Sequence, residues 1–146
     1  GYNMVTDNFV EAVRTKHPAL IAGIDFYFEV VDGEAVLSKW PEGFEQPTPS
    51  EVDAAGLWLE QQKYTAALEA HYDAAAQQRR YDNRLTCALR AAYAGPFQAE
   101  GIAFGIWMDE QNAYAYAQLD AVIAGEREKP TPYEFAAELA PMVWPE

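Results

Sequence analysis

The chain has 146 residues, half of them apolar and 14% aromatic, and its 23 acidic and 10 basic residues give a net charge of −13. This length predicts one domain, or one domain with a small appendage, and the apolar content excludes global disorder. The negative charge argues against binding to nucleic acid or to an anionic membrane. No apolar run approaches the length of a membrane span, so we expect a soluble protein.

The N-terminal segment predicts a short helix followed by a β-hairpin. Thr6 or Asp7 can cap a helix that runs to about His17. Residues 24–31 are rich in aromatic and β-branched side chains, and residues 34–40 predict a second strand. The Asp32-Gly33 pair between them is typical of a two-residue hairpin turn. Because a lone hairpin is only marginally stable, we expect a helix, a second subunit or a partner strand to support it.

A proline-rich connector at residues 41–49 separates two predicted domains, a head at residues 1–47 and a helical body at residues 48–146. The body opens with a long helical stretch from Thr48 to Ala94. Its start has a capping box, with Thr48 at the cap, Pro49 at the first helical position and Glu51 three residues after the cap. Gly95 and Pro96 end it.

A heptad frame along this stretch predicts a seam through which the protein forms a homo-oligomer. The seam is apolar at both ends and polar in the middle. Its proposed members are Leu57, Tyr64, Leu68, His71, Leu85 and Leu89. The polar centre either fixes the register and subunit number or marks a break near residues 77–83, where the chain turns back. We favour one long or gently broken helix.

A second, aromatic helix follows Gly95-Pro96. Its apolar face is broad, as in a helix packed on two sides, and Gly101 and Gly105 would allow another helix to approach closely. A T-P-Y-E sequence at residues 131–134 then predicts a short C-terminal helix. The predicted fold class is α+β, mainly α.

The sequence predicts no catalytic, metal or cofactor site. Its two histidines, His17 and His71, and its single cysteine, Cys87, have no ligand-like spacing. We expect His71 to be a packed, hydrogen-bonded side chain and Cys87 to be a small core or seam residue. Neither a triad motif nor a phosphate-binding loop occurs, so we expect a protein that is not an enzyme.

Two groups of side chains need explanation beyond helix formation. The one basic concentration is Arg79, Arg80, Arg84 and Arg90, which we expect to pair with neighbouring acidic residues. The aromatic residues exceed what a core of this size requires, and the excess favours a protein–protein surface. The predicted partner-binding residues are Trp107, Tyr114, Tyr116, Met142 and Trp144.

The stretch IDFYFEVVDGEAVLSKW followed by PTPSEVDAA resembles small proteins encoded beside phage tail-fibre genes, including the XkdW-like group. The stretches YDNRLTCALRAAYAGPF, GIAFGIWMDEQNAYAYAQL and PTPYEFAAELAPMVWP are similar to C-terminal segments of phage tail proteins. The resemblance implies a tail-fibre assembly or tail-associated role, without catalytic residues. The implied partner is a tail-fibre or other tail protein.

Three functions are compatible with these features. The first is a chaperone-like protein that acts in tail-fibre assembly or attachment in the cytoplasm of a bacterial host. The second is a permanent structural component of the virion tail. The third is an acidic nucleic-acid mimic that inhibits a host defence system, which the charge supports but which does not require the hairpin.

Overall fold

The structure, a computed structural model, describes residues 4–146. These residues form five α-helices and one antiparallel β-hairpin, which confirms the α+β, mainly helical class. The elements are α1 (Met4–Lys16), β1 (Tyr27–Val31), β2 (Glu34–Lys39), α2 (Pro49–Gln77), α3 (Arg84–Leu89), α4 (Gln98–Ile123) and α5 (Pro132–Ala137).

The chain divides into two compact units, Gly1–Gln62 (unit 1) and Lys63–Glu146 (unit 2). The predicted head and body met at residues 47 and 48, at the start of α2, whereas the units meet inside α2 because its first turns pack with unit 1. Within unit 1, the side chain of Asn8 lies against Gly56, and Lys16 pairs with Glu51. The first three residues of the predicted head lie outside the described residues.

Helix α1 begins earlier than its predicted caps. It starts at Met4, so Thr6 and Asp7 lie in its first turn and the prediction of either as the N-cap was wrong. An acidic side chain in the first turn still favours the helix, since it faces the positive end of the helix dipole. The predicted end near His17 is confirmed within one residue, since the last helical residue is Lys16.

The hairpin forms within one chain, with Val31 opposite Glu34 and Phe28 opposite Leu37. Asp32 and Gly33 both have positive φ, at 51° and 82°, as a primed two-residue turn requires. The first strand starts at Tyr27, three residues later than predicted. The preceding residues instead form a turn, in which the Asp25 carboxylate accepts a hydrogen bond from the Ile21 N–H at 2.7 Å.

The capping box at the start of α2 is confirmed. The Glu51 N–H donates to the Thr48 hydroxyl, and the Thr48 N–H donates to the Glu51 carboxylate, both at 3.1 Å. Helix α5 has the same type of cap, since the Glu134 N–H donates to the Thr131 hydroxyl at 3.1 Å.

The long helix is broken, as the alternative interpretation held. Helix α2 ends at Gln77, and Arg80 follows with a φ of 67°. Asn83 then caps α3 by accepting hydrogen bonds from the Leu85 and Thr86 N–H groups at 2.8 and 3.1 Å. A 3₁₀ turn follows α3, so no single helix carries the whole predicted seam.

The core of unit 2 lies between the C-terminal part of α2, α3 and α4. Its buried members are Tyr72, Ala75, Ala76, Cys87, Phe104 and Trp107. Close approach of the 3₁₀ turn to α4 depends on Gly101, because a Cβ there would lie 2.5 Å from the Ala91 nitrogen.

Candidate interaction surfaces

The hairpin in unit 1 has one packed part and one open part. Phe9 of α1 contacts Phe26 and Phe28 edge to face, with ring centroids 6.4 and 5.7 Å apart, and Trp40 lies 5.5 Å from Phe26. Toward the turn the apolar side chains are open, and Val30 is 75% exposed. We call the exposed apolar residues of the hairpin the hairpin surface: Tyr27, Val30, Val31 and Val36.

The edges of this hairpin are also open. The sheet in the described residues has only two strands, so each strand has one side without a neighbouring strand. Unpaired backbone N–H and C=O groups along such an edge accept a further strand from another chain. The hairpin surface therefore combines exposed apolar side chains with backbone groups that can pair.

A groove of about 380 Å³ lies between α1 and the first turns of α2 in unit 1. Its apolar lining includes Ala12, Ala55 and Trp58. Both carboxylates that line it are paired, Glu11 with Arg14 at 2.8 Å and Glu51 with Lys16 at 2.9 Å. The hydrogen bond from Lys16, with those from Thr48, lowers the pKa of Glu51 to about 2. This carboxylate is therefore ionised at neutral pH and unsuited to act as a general acid.

The predicted oligomer seam divides into two sets. Tyr64, Leu68 and His71 pack inside unit 2: the Tyr64 hydroxyl donates to the Pro130 carbonyl, Leu68 contacts the core, and the His71 ring lies 5.5 Å from that of Trp107. The buried Nε2 of His71 has no hydrogen-bond partner in the described part of the chain. The remaining members are exposed: Leu57, Leu85 and Leu89.

The predicted partner-binding residues divide in the same way. Trp107 is 6% exposed within the core of unit 2, and Met142 and Trp144 pack against that core. The Tyr114 hydroxyl donates to the Glu138 carboxylate at 2.7 Å. Tyr116 is the member of this set that the structure leaves mainly in solvent, with 65% of its surface exposed.

The C-terminal segment, residues 139–144, is docked on α4. The Trp107 indole N–H donates to the Ala140 carbonyl at 3.0 Å, and the Ala140 N–H donates to the Gln111 side-chain oxygen at 2.8 Å. The Trp144 ring stacks on Phe104 with planes 10° apart, and the Arg79 guanidinium lies 5.2 Å from the centroid of the same ring. The tail therefore closes the core of its own unit.

Two of the four arginines near the break of α2, Arg79 and Arg84, form ion pairs as predicted, whereas Arg90 donates to the Tyr93 hydroxyl. Arg84 lies 3.1 Å from the Asp73 carboxylate and 3.5 Å from that of Glu69. Arg79 lies 3.4 Å from Glu100. These pairs connect the end of α2 to α3 and α4, so Arg79 and Arg84 help to hold unit 2 together.

Burial suppresses the acid–base chemistry of the core of unit 2. Loss of solvation raises the pKa of the Cys87 thiol to about 11, so the group is protonated at neutral pH. The same effect raises the pKa of Tyr72 to about 12. Burial, aided by the hydrogen bond to Glu100, likewise raises that of Tyr81 to about 12. Cys87 is therefore a packed core residue, which is one of the two roles, core or seam, that the sequence predicted for it.

Within residues 4–146, no group of His, Cys, Asp or Glu side chains is arranged to hold a metal ion. The same residues contain no helix of the length and apolarity needed to cross a membrane. Comparisons of the chain with protein-family models, with curated proteins and with solved structures found no match. The resemblance to phage tail proteins therefore stays a prediction.

Proposed function

We propose that this protein is a non-catalytic interaction protein of a tailed phage, which acts in tail-fibre assembly or attachment. The phage context rests on the resemblance of its hairpin, helix starts and C-terminal stretches to tail-associated proteins. The observation that carries the interaction is the hairpin surface, where exposed Val30, Val31 and Val36 adjoin free strand edges.

In this proposal, the hairpin adds to an unpaired strand of the fibre. Main-chain hydrogen bonds supply affinity, and the exposed valines cover apolar surface on the fibre that is open before assembly. The packed part of the hairpin, with Phe26 and Phe28 against Phe9, holds the strands in place for this contact. Because the strands are already ordered, binding requires little further loss of conformational entropy.

Co-expression with the tail-fibre protein that this proposal expects to be encoded beside it tests the proposal. We expect the two proteins to co-purify and the soluble fraction of the fibre to rise. Val30→Lys and Val36→Lys should abolish both effects, since lysine on an edge strand blocks further strand pairing. Val143→Lys, at another exposed valine, is the matched control and should leave both unchanged.

Unchanged fibre solubility without co-purification would contradict the proposal, as would full activity of the two hairpin variants. Mass spectrometry of purified particles distinguishes assembly from a structural role. Absence from the particle fits an assembly protein, whereas stoichiometric presence would make the protein a permanent tail component.

We also propose that the protein forms a homo-oligomer. Of the predicted seam, Leu57, Leu85 and Leu89 are available for a contact between chains because they are exposed. Light scattering should give a mass above that of one chain, and Leu85→Gln with Leu89→Gln should reduce it. A monomeric mass for the wild-type protein would overturn this part.

A further inference from the structure

Helix α4 carries a second regular pattern on the side that faces away from the core of unit 2. Seven positions follow one another at alternating spacings of four and three residues, which is the a and d repeat of a coiled coil. All seven are exposed. We call this row the outer seam: Ile102, Ile106, Asp109, Ala113, Tyr116, Asp120 and Ile123.

The packing of the chain itself does not explain the outer seam. The opposite side of α4 makes the contacts with the core, through Phe104, Trp107, Gln111 and Ala115. On the outer seam, Ile106 is 54% and Ile123 is 72% exposed. A helix that is apolar on opposite sides is normally covered on both.

One of the two glycines on α4 points to a close contact on this side. Gly101 is required within unit 2, because a Cβ there would meet the backbone of Ala91 and Arg90. At Gly105, beside Ile102 and Ile106, a Cβ would meet nothing within 4 Å. Glycine inside a helix lowers its stability, so a residue with no packing need for it indicates the approach of another backbone.

The carboxylates in the outer seam indicate the charge of the partner that covers it. Glu100, on the inner side of α4, is paired with Arg79 and accepts a hydrogen bond from Tyr81 at 2.5 Å. Asp109 and Asp120 in the seam form no ion pair within the described residues, and α4 contains no Lys or Arg. Covering these carboxylates with apolar groups alone would be unfavourable, so the partner must carry cations.

A second copy of α4 fits this requirement poorly. Packed parallel and in register, two outer seams would place each Asp109 against its equivalent. Packed antiparallel, they would place the aspartates against isoleucine or tyrosine, with no cation on either helix. Charge complementarity therefore favours a different protein as the partner.

We propose that the outer seam binds one amphipathic α-helix of another protein. That helix carries Lys or Arg at two layers 11 residues apart, opposite Asp109 and Asp120, and apolar residues at the other five layers. At about 1.5 Å per residue, the two cations lie about 16 Å apart. A small residue of α4, Gly105, lets the two backbones approach near the first layers.

Synthetic helical peptides as long as the seam test this proposal. Two matched peptides, one for each helix direction, carry Leu at five layers and Lys at the two layers that meet the aspartates. A control peptide has the same composition, with its two lysines at the first and seventh layers, which meet Ile102 and Ile123 in either direction. By fluorescence anisotropy at 0.15 M salt, we expect one matched peptide to bind at least about 10-fold more tightly than the control.

Variants locate the binding on the protein. Ile106→Gln should weaken binding of the matched peptide at least about 10-fold, whereas Ile24→Gln, at an exposed isoleucine of unit 1, should leave that binding unchanged. Gly105→Ala should raise the Tm of the free protein and lower its affinity for the matched peptide. A variant with a higher Tm cannot lose binding through unfolding, so this pair of readouts is not affected by misfolding.

Equal affinity of matched and control peptides would overturn the proposal, because charge alone would then explain binding to a protein of net charge −13. No binding by either matched peptide would overturn it too. A dimer in light scattering that becomes monomeric in Ile106→Gln would identify a second copy as the occupant. If Gly105→Ala left peptide binding unchanged, the two backbones would not approach each other closely at Gly105.

Discussion

Unit 1 and unit 2 both have packed aromatic rings at their centres, but only in unit 2 does the C-terminal segment cover these rings. In unit 2 the C-terminal segment returns over α4, and Trp144 covers Phe104. In unit 1 the hairpin packs on α1 at Phe26 and Phe28, while Val30 and Val31 near the turn stay open.

This difference shows where a partner is expected. In unit 2, Met142 and Trp144, which were predicted to bind a partner, pack against the core of the same chain. Exposed apolar residues that lie close together occur on the hairpin and along the outer side of α4. Groups of exposed apolar residues, unlike single ones, mark interaction sites.

Trp107→Ala should produce the largest loss, about 3–5 kcal/mol in the free energy of unfolding. The change removes a buried ring and leaves the Ala140 carbonyl without its donor, so the closure of unit 2 fails together with its core. Urea denaturation followed by circular dichroism measures it. Tyr116→Ala, at an exposed aromatic of the same helix, should change stability by less than about 0.5 kcal/mol. Similar losses in the two variants would contradict the distinction between the two sides of α4.

Gly101→Ala should cost about 1–3 kcal/mol, because the added methyl group forces α4 away from the 3₁₀ turn at Ala91. Gly105→Ala is the matched control in the same helix and should stabilise the protein by about 0.5–1 kcal/mol. Thermal unfolding of the two variants gives shifts of opposite sign. A loss at both positions would show that the outer side of α4 is packed in the free protein.

Features set by neighbouring residues were predictable from the sequence. Asp32-Gly33 specified the turn of the hairpin, and Thr48 and Thr131 specified two helix starts, because each signal acts over three or four residues. The end of α2 was harder to place, since Arg80 takes the left-handed conformation where glycine is usual. The cap at Asn83 was the available signal for it.

Contacts between distant residues were not predictable in the same way. Periodicity showed that α4 is apolar on a broad face, but it did not show which side meets α2 and which meets solvent. The bond from Trp107 to Ala140 joins residues 33 apart, and no local pattern specifies such a pair. For that reason Trp107, Met142 and Trp144 were predicted as partner-binding residues, although they lie within unit 2.

Acid should weaken unit 1 through Glu51. The Lys16 hydrogen bond and the Thr48 cap hold the folded-state pKa of Glu51 at about 2, against an ordinary value of 4.5. The stabilisation is therefore complete above about pH 4.5 and is lost as the pH falls toward 2. Urea midpoints between pH 6 and pH 2.5 should fall less in Glu51→Gln than in the wild-type protein. An equal fall would mean that other carboxylates account for the acid sensitivity.

Val30→Thr should have the smallest effect on stability, within about 0.5 kcal/mol, because Val30 is 75% exposed and threonine is also β-branched. Phe28→Ala, on the packed part of the same strand, should destabilise clearly, since it removes the ring contact with Phe9. Urea denaturation compares the two. A large loss in Val30→Thr would show that the chain itself covers this valine in solution, and the hairpin surface would then be part of the core. A negligible loss means that folding does not require an apolar residue there, which is the condition for the proposed binding of a fibre strand.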